Sequence, residues 1–156
     1  IHMYGVKNLI RVGSCGAYHP DLNLYDIILA IGASTDSNYA YQFELPGIYS
    51  ATASWDLLSK AKKAADDNNI KTVVGNIVTS DLFYSDNPDN WRKWAKMGCL
   101  AVEMETYALY CIANRAGVNA LTILTVSDSL VHKTETTPDQ REKGFKDMMK
   151  IALELA

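Results

Sequence analysis

The chain has 156 residues, 48% of them apolar, and a net charge of −3 with Lys and Arg scattered along it. That supports one core rather than two, and it lacks the basic stripe that nucleic-acid binding requires, which argues against nucleic acid as a partner. No apolar run reaches the roughly 20 residues needed to cross a bilayer, and no signal-peptide pattern opens the chain, so a soluble cytoplasmic protein with one domain over residues 1–156 is expected.

IHMYG at the start reads as the last turn of a helix closed by Gly5, and the helix it would end is not in the sequence. Either His-Met is a cloning remnant or the chain begins partway into a larger fold. The first strand candidates are NLIRVG (8–13) and YDIILAIGAS (25–34), followed by one long irregular segment, 33–54, of a kind that is often functional when ordered. A helix is predicted over 54–68, a strand over KTVVGNIVTS (71–80), a helix over 87–98 and a strand over CLAVEM (99–104). ETYALYCIANRAG (105–117) carries an apolar face of Tyr107, Leu109, Tyr110, Ile112 and Ala113, so it is predicted to pack on the sheet. ALTILTVSD (120–128) is the last strand, and a helix over 137–156 starts at an N-cap, Thr137, before Pro138. Gly98 and Gly117 are the expected C-terminal caps. Short, nearly continuous apolar strands alternating with helical periods indicate an α/β fold whose sheet is covered on both faces.

Cys15, Cys99 and Cys111 are odd in number and lack CxxC spacing, which argues against a disulfide framework or a zinc site and for reduced packing residues. His2, His19 and His132 show no HxxxH or HxxE spacing, so no metal is expected.

In parallel-type sheets, ligands collect at the carboxyl ends of strands. Four candidate strands end in polar residues: Arg11 and Ser14 in IRVGSCG, Ser80 and Asp81 in VTSD, Glu103 and Glu105 in AVEMET, Ser127 and Asp128 in LTVSD. Each alone also suits a helix N-cap or a solvated loop; together they suggest one site. Arg11, inside an apolar strand, needs an anion, either carboxylate or phosphate. Gly13, Ser14 and Gly16 beside it allow close backbone approach, although the spacing is neither GxGxxG nor a P-loop. Two carboxylates around Met104 must be solvated or share a polar partner, because an unpaired buried one is costly. Asp128 ends a mostly apolar run, and desolvation favours a protonated carboxyl; this makes it a candidate general acid, with capping of the next segment as the alternative.

Taken together, IRVGSCGAYHPDLNLYDIILAIGASTDS, SDLFYSD, LAVEMETYALY and LTVSDSLVHKTETTPDQR resemble the bacterial hexameric purine nucleoside phosphorylases of the nucleoside phosphorylase superfamily, from about Tyr4 to the C-terminus. The resemblance implies a three-layer fold with a mixed, largely parallel central sheet flanked by helices. It also implies reversible phosphorolysis of purine (deoxy)ribonucleosides to free purine and (deoxy)ribose 1-phosphate, in a homohexamer, with phosphate as co-substrate and no metal or organic cofactor. Matched residue by residue, it implies phosphate ligands at Arg11 and Ser14, a base-pocket wall at Cys15 and Gly16, and an aromatic against the nucleoside at Phe83. Val102, Glu103, Met104 and Glu105 match the segment that holds the sugar, with Glu105 accepting from the ribose 2′ and 3′ hydroxyls. Ser127 and Asp128 match the base-recognition pair, with Asp128 protonating purine N7, and Arg141 matches the arginine that turns toward Asp128. Without the resemblance, Arg141 reads as a solvated residue of a first helical turn.

Two departures stand out. Ser129 occupies a position where the family often has histidine, and several tens of N-terminal residues, with the rest of the phosphate loop, are not in this sequence. The domain is therefore expected to be incomplete at its N-terminus and to show little activity alone. The alternatives are a methylthioadenosine-type nucleosidase, which uses water and needs no Arg11, and a non-catalytic purine-binding remnant. Uridine phosphorylase is disfavoured because a pyrimidine has no N7 for Ser127 and Asp128 to serve.

Overall fold

The computed structural model describes residues 1–155. After a 3-10 turn at His2–Tyr4 the chain runs through β1 (Asn8–Ala17), β2 (Ile27–Thr35), β3 (Ala51–Thr52), α1 (Trp55–Asp67), β4 (Thr72–Thr79) and α2 (Trp91–Lys96). It continues through β5 (Ala101–Glu103), α3 (Thr106–Ala116), β6 (Asn119–Ser129), β7 (Thr134–Glu135), α4 (Pro138–Gly144) and α5 (Lys146–Leu153). Every strand and helix expected from the sequence is present, and the irregular segment also holds β3 and a 3-10 turn at Tyr39–Phe43.

The strands are apolar on both sides because both sides are covered. Ile28 and Ala30 of β2, and Leu124 and Val126 of β6, pack in one cluster with Tyr107, Tyr110 and Ala113 of α3. Their neighbours Ile27, Leu29, Leu121 and Ile123 pack in a second cluster with Leu57, Leu58 and Ala61 of α1 and Met148 and Ile151 of α5. Alternation along a strand thus feeds two cores, giving a mixed α/β fold in three layers.

The sheet runs in the order β3-β2-β4-β5-β1-β6-β7. The two longest ladders, β1 with β6 and β2 with β4, are parallel, as is β4 with β5. β5 returns antiparallel to β1, and β2 also pairs antiparallel with β6 through Ile27 to Ala30. The strands β2, β4, β5, β1 and β6 therefore close on themselves, a curvature the sequence did not announce. Register skips at Cys15/Gly16 and at Ala30/Gly32 supply the bends, as bulges do at barrel corners.

Helix ends follow their side chains. Thr137 and Gln140 form a capping box, with the Thr137 Oγ1 accepting from the Gln140 N–H at 3.2 Å and the Gln140 Oε1 accepting from the Thr137 N–H at 2.8 Å. α3 stops at Gly117, whose φ of 66° is the left-handed conformation that glycine adopts without penalty. Two expectations are corrected. Ile112 is exposed, because at 100° per residue it lies opposite the buried stripe of Tyr107, Tyr110 and Cys111. The helix over 137–156 breaks at Phe145, which turns inward to meet the Tyr25 ring edge-on at 6.3 Å. Gly144 permits this, since a Cβ there would come within 2.9 Å of that ring; Ala156 lies outside the described residues. The three cysteines are free and buried. Among the described residues, no helix is long and apolar enough to cross a membrane.

Candidate functional site

Strand pairing brings three of the four polar strand ends into one row. Asp128 pairs with Gly16, Gly16 with Val102, and Val102 with Val78, so β6, β1, β5 and β4 meet side by side. The bulge that leaves Ser127 unpaired between Val126 and Asp128 sets the Asp128 side chain over the Gly16 backbone. A Cβ at Gly16 would lie 2.7 Å from Asp128 Oδ2 and 3.0 Å from Leu130 Cδ1. The other carboxylate oxygen, Oδ1, is 2.8 Å from the Ser127 hydroxyl, which also lies 3.3 Å from the Cys15 carbonyl. Asp128 is half-buried, so the apolar strand before it leaves its carboxyl partly open to the surface, while Ser127, Cys15 and Gly16 are buried. Burial pushes the Cys15 thiol well above its ordinary range, with the Asp128 and Glu103 charges adding to the effect; it is a neutral wall and not a nucleophile.

The two glutamates separate sharply. Glu103 has a side chain only 1% exposed. Its Oε1 accepts from the Thr79 hydroxyl at 2.5 Å, its Oε2 from the Glu105 N–H at 3.1 Å, and both oxygens from the Thr106 N–H. These are orphan donors of the first turn of α3, where the helix dipole favours negative charge. Glu105, by contrast, has a side chain 62% exposed. Arg11 joins them: its Nη2 contacts the Glu105 carboxylate and lies 3.2 Å from Glu103 Oε2. The guanidinium lies over the Gly13 backbone, where any Cβ would collide with it. The anion that Arg11 requires is thus supplied by carboxylates within the chain.

Ser14 and Met104 are exposed, and Val102 is half-buried and pairs with Gly16. Phe83 is 75% exposed in the open loop before α2 and stacks edge-on with Tyr84, so the structure does not bring it onto the row. Ser80 and Asp81 turn elsewhere: the Ser80 hydroxyl donates to Asp36 Oδ2 at 2.7 Å, and the Asp81 N–H donates to Asp36 Oδ1 at 3.0 Å. Arg141 donates to the Thr136 carbonyl at 2.9 Å and makes no ion pair with Asp128 among the described residues. Thr136 in turn grips the Ser127 carbonyl through its N–H and its hydroxyl, so Thr136 stands between Arg141 and Ser127.

Sequence reasoning passed over Thr79 and Asp36. Thr79 ends β4 next to Ser80, which it did mark, and Asp36 follows β2 at the start of the irregular segment; those positions are the signal that would have found them. Thr79 is buried, donating to Glu103 and accepting from the Tyr107 N–H at 2.9 Å. Two clefts, of about 310 and 510 Å³, lie along the irregular segment and α3, lined in part by Phe43, Leu45, Tyr49 and Tyr107. Among the described residues no cluster of His, Cys, Asp and Glu is placed to hold a metal ion.

A family model described as the phosphorylase superfamily matches residues 1–156. The chain is 54% identical, over all of its length, to a DeoD-type purine nucleoside phosphorylase of Caldanaerobacter subterraneus subsp. tengcongensis, covering 67% of that protein. It is 54% identical to one of Alkaliphilus metalliredigens, across 98% of this chain and 66% of the relative, and 47% identical to one of Clostridium perfringens, across 100% and 66%. The chain spans about two thirds of the length of the relatives it matches.

Proposed function

Because the chain belongs to the phosphorylase superfamily, beside its DeoD-type purine nucleoside phosphorylases, we propose that it acts in the phosphorolysis of purine nucleosides to free purine and ribose 1-phosphate or its deoxy form. Breaking the glycosidic bond builds positive charge on the sugar and negative charge on the departing purine. The reaction needs an anionic nucleophile held at C1′, a grip on the sugar hydroxyls, and a proton delivered to N7.

The observation that carries this reading is the placement of Asp128. One carboxylate oxygen is steadied by Ser127, the other lies over Gly16, and the group stays partly open, as a proton donor to a base seated on the Cys15–Gly16 wall must be. Glu105 follows β5, its exposed carboxylate contacted by Arg11 and still open to accept from vicinal hydroxyls, with Val102 and Met104 packing the nucleoside. Arg11 and Ser14 take the phosphate. A guanidinium has five donors, so Arg11 binds phosphate while retaining a carboxylate. Phe83 folds onto the nucleoside, and Arg141 leaves the Thr136 carbonyl for Asp128, when substrate is bound. No organic cofactor or metal takes part; phosphate is a substrate. Residues 1–156 act as one domain of a cytoplasmic homo-oligomer, a hexamer, in purine salvage.

The test is purine release from inosine and adenosine by the full-length protein, with and without inorganic phosphate; residues 1–156 alone should show little turnover. Cleavage should require phosphate; equal rates in phosphate-free buffer would move the assignment to a hydrolase.

A further inference from the structure

We propose that Glu103 is a positioning residue that ties the anion-binding and sugar-binding sides of the site into one unit, an inference that rests on the phosphorolysis reading above. A side chain 1% exposed does not reach a nucleoside. What it does reach is both halves of the machinery. Through Oε2 it receives the Glu105 N–H, and through both oxygens the Thr106 N–H, fixing the turn from which Glu105 projects. Through the same Oε2 it holds Arg11 at 3.2 Å, and its Oε1 is anchored by the Thr79 hydroxyl on the neighbouring strand.

Two identical side chains, two residues apart, therefore divide the work. Alternation along β5 turns Glu103 inward, where every lone pair it offers is claimed by donors that have few other partners. Glu105, at the start of α3, faces out. Arg11 alone would fall wholly onto Glu105 and occupy the group meant for the ribose. A second, immovable carboxylate shares it and keeps Arg11 lying over Gly13.

The test is Glu103→Gln, read by steady-state kinetics for inorganic phosphate and for inosine, by calorimetric titration of phosphate, and by thermal melting. The amide keeps the shape but loses the charge-assisted partner of Arg11, so KM should rise roughly tenfold for each substrate, the equivalent of one charge-assisted hydrogen bond. Charge alone predicts the opposite sign for phosphate, because removing a negative group beside Arg11 favours an anion. Unchanged or tighter phosphate binding therefore overturns the proposal. A rise confined to inosine does so too, since it would make Glu103 a direct sugar ligand, as does a lowered melting temperature with both constants unchanged. Should Glu103→Gln fail to fold, Thr79→Val decides: it keeps the charge, removes the anchor, and should shift both constants in the same direction by a few-fold, and no shift overturns the proposal. Absence of phosphate-dependent cleavage by the full-length protein removes the phosphorolysis reading, while the phosphate titration still judges Glu103. A parent that binds no phosphate overturns both.

Discussion

Gly16→Ala is the smallest change that reaches the proposed proton donor. The new methyl group would sit 2.7 Å from Asp128 Oδ2, and ordinary contact begins near 3.4 Å, so the carboxylate must retreat by the difference, 0.7 Å. Leu130 Cδ1 at 3.0 Å and Val102 Cγ1 at 3.4 Å close the other directions, which leaves outward displacement of Asp128 as the relief. A misplacement of about 1 Å at a reacting group is able to cost on the order of 100-fold in rate, so a loss of kcat between tenfold and that figure is expected for phosphate-dependent inosine cleavage. Ground-state binding should suffer less, so KM should change by a smaller factor than kcat. Overpacking of this kind destabilises by roughly 1 to 3 kcal/mol, which a thermal melt will register without unfolding the protein. Steady-state kinetics on the variant and the parent at matched folded concentration decide the matter. A variant with parental kcat would refute the reasoning, because it would show that Asp128 does not act from the position described.

Asp128→Asn can still donate a hydrogen bond but not a proton; adenosine cleavage should fall by roughly 10²- to 10⁴-fold, the range of a lost general acid, and inosine, whose 6-oxo group also accepts from an amide, by less. Equal losses measured for the two nucleosides would remove proton transfer from Asp128. Glu105→Gln weakens charge-assisted hydrogen bonds worth roughly 1.5 to 3 kcal/mol each, so inosine turnover should fall at least about tenfold while 2′,3′-dideoxyinosine is spared; parallel losses would show that Glu105 does not hold the sugar. Tyr110 is fully buried, donating to the Ala30 carbonyl at 2.6 Å and accepting from the Thr122 N–H at 2.9 Å. Tyr110→Phe strands both groups and should cost about 1 to 3 kcal/mol in a denaturant melt. Burial pushes the Tyr110 phenol from 10.0 up to about 12, so its contribution to stability is complete below pH 10 and fades as the pH rises toward 12. The parent should lose stability faster than Tyr110→Phe across that window, and coincident profiles would contradict the assignment.

The strands were legible because burial on both faces writes itself as apolar runs, and the helix ends because capping residues act locally, as at Thr137 and Gly117. The candidate site was legible for a related reason: a polar residue in or at the end of an apolar strand has to be explained, as Arg11 within β1 and Glu103 and Asp128 near the ends of β5 and β6 do. What stayed hidden depends on which strand lies beside which. The antiparallel return of β2 onto β6 and the bulge at Ser127 are properties of pairs, and local pattern does not specify pairs. Glu103 and Glu105 looked alike for the same reason, since only the neighbouring Thr79 and the turn into α3 distinguish the buried acceptor from the exposed one. Phe145 was read as helix interior because its pull toward Tyr25 comes from across the fold.

The ladder between β1 and β6 has a consequence for how the molecule comes into being. Asn8 pairs with Asn119 and Ala17 with Ser129, so an earlier strand waits for one made more than a hundred residues later. Until residue 119 has left the ribosome, β1 has only the short antiparallel contact of Gly16 and Ala17 with β5, and its N–H and C=O groups along Asn8 to Cys15 stand open. Joining partners so distant in sequence carries a loop-closure cost and slows folding, and an open apolar strand invites misassembly in the interval. Arg11, Ser14 and Gly16 ride on the early strand, and Ser127 and Asp128 on the late one. A nascent chain therefore carries both sets of groups long before they face each other, and the act that seals the barrel is the same act that sets them in one row. Any small molecule that binds that row will pull the closure forward by mass action, so its supply during synthesis should raise the yield of folded protein.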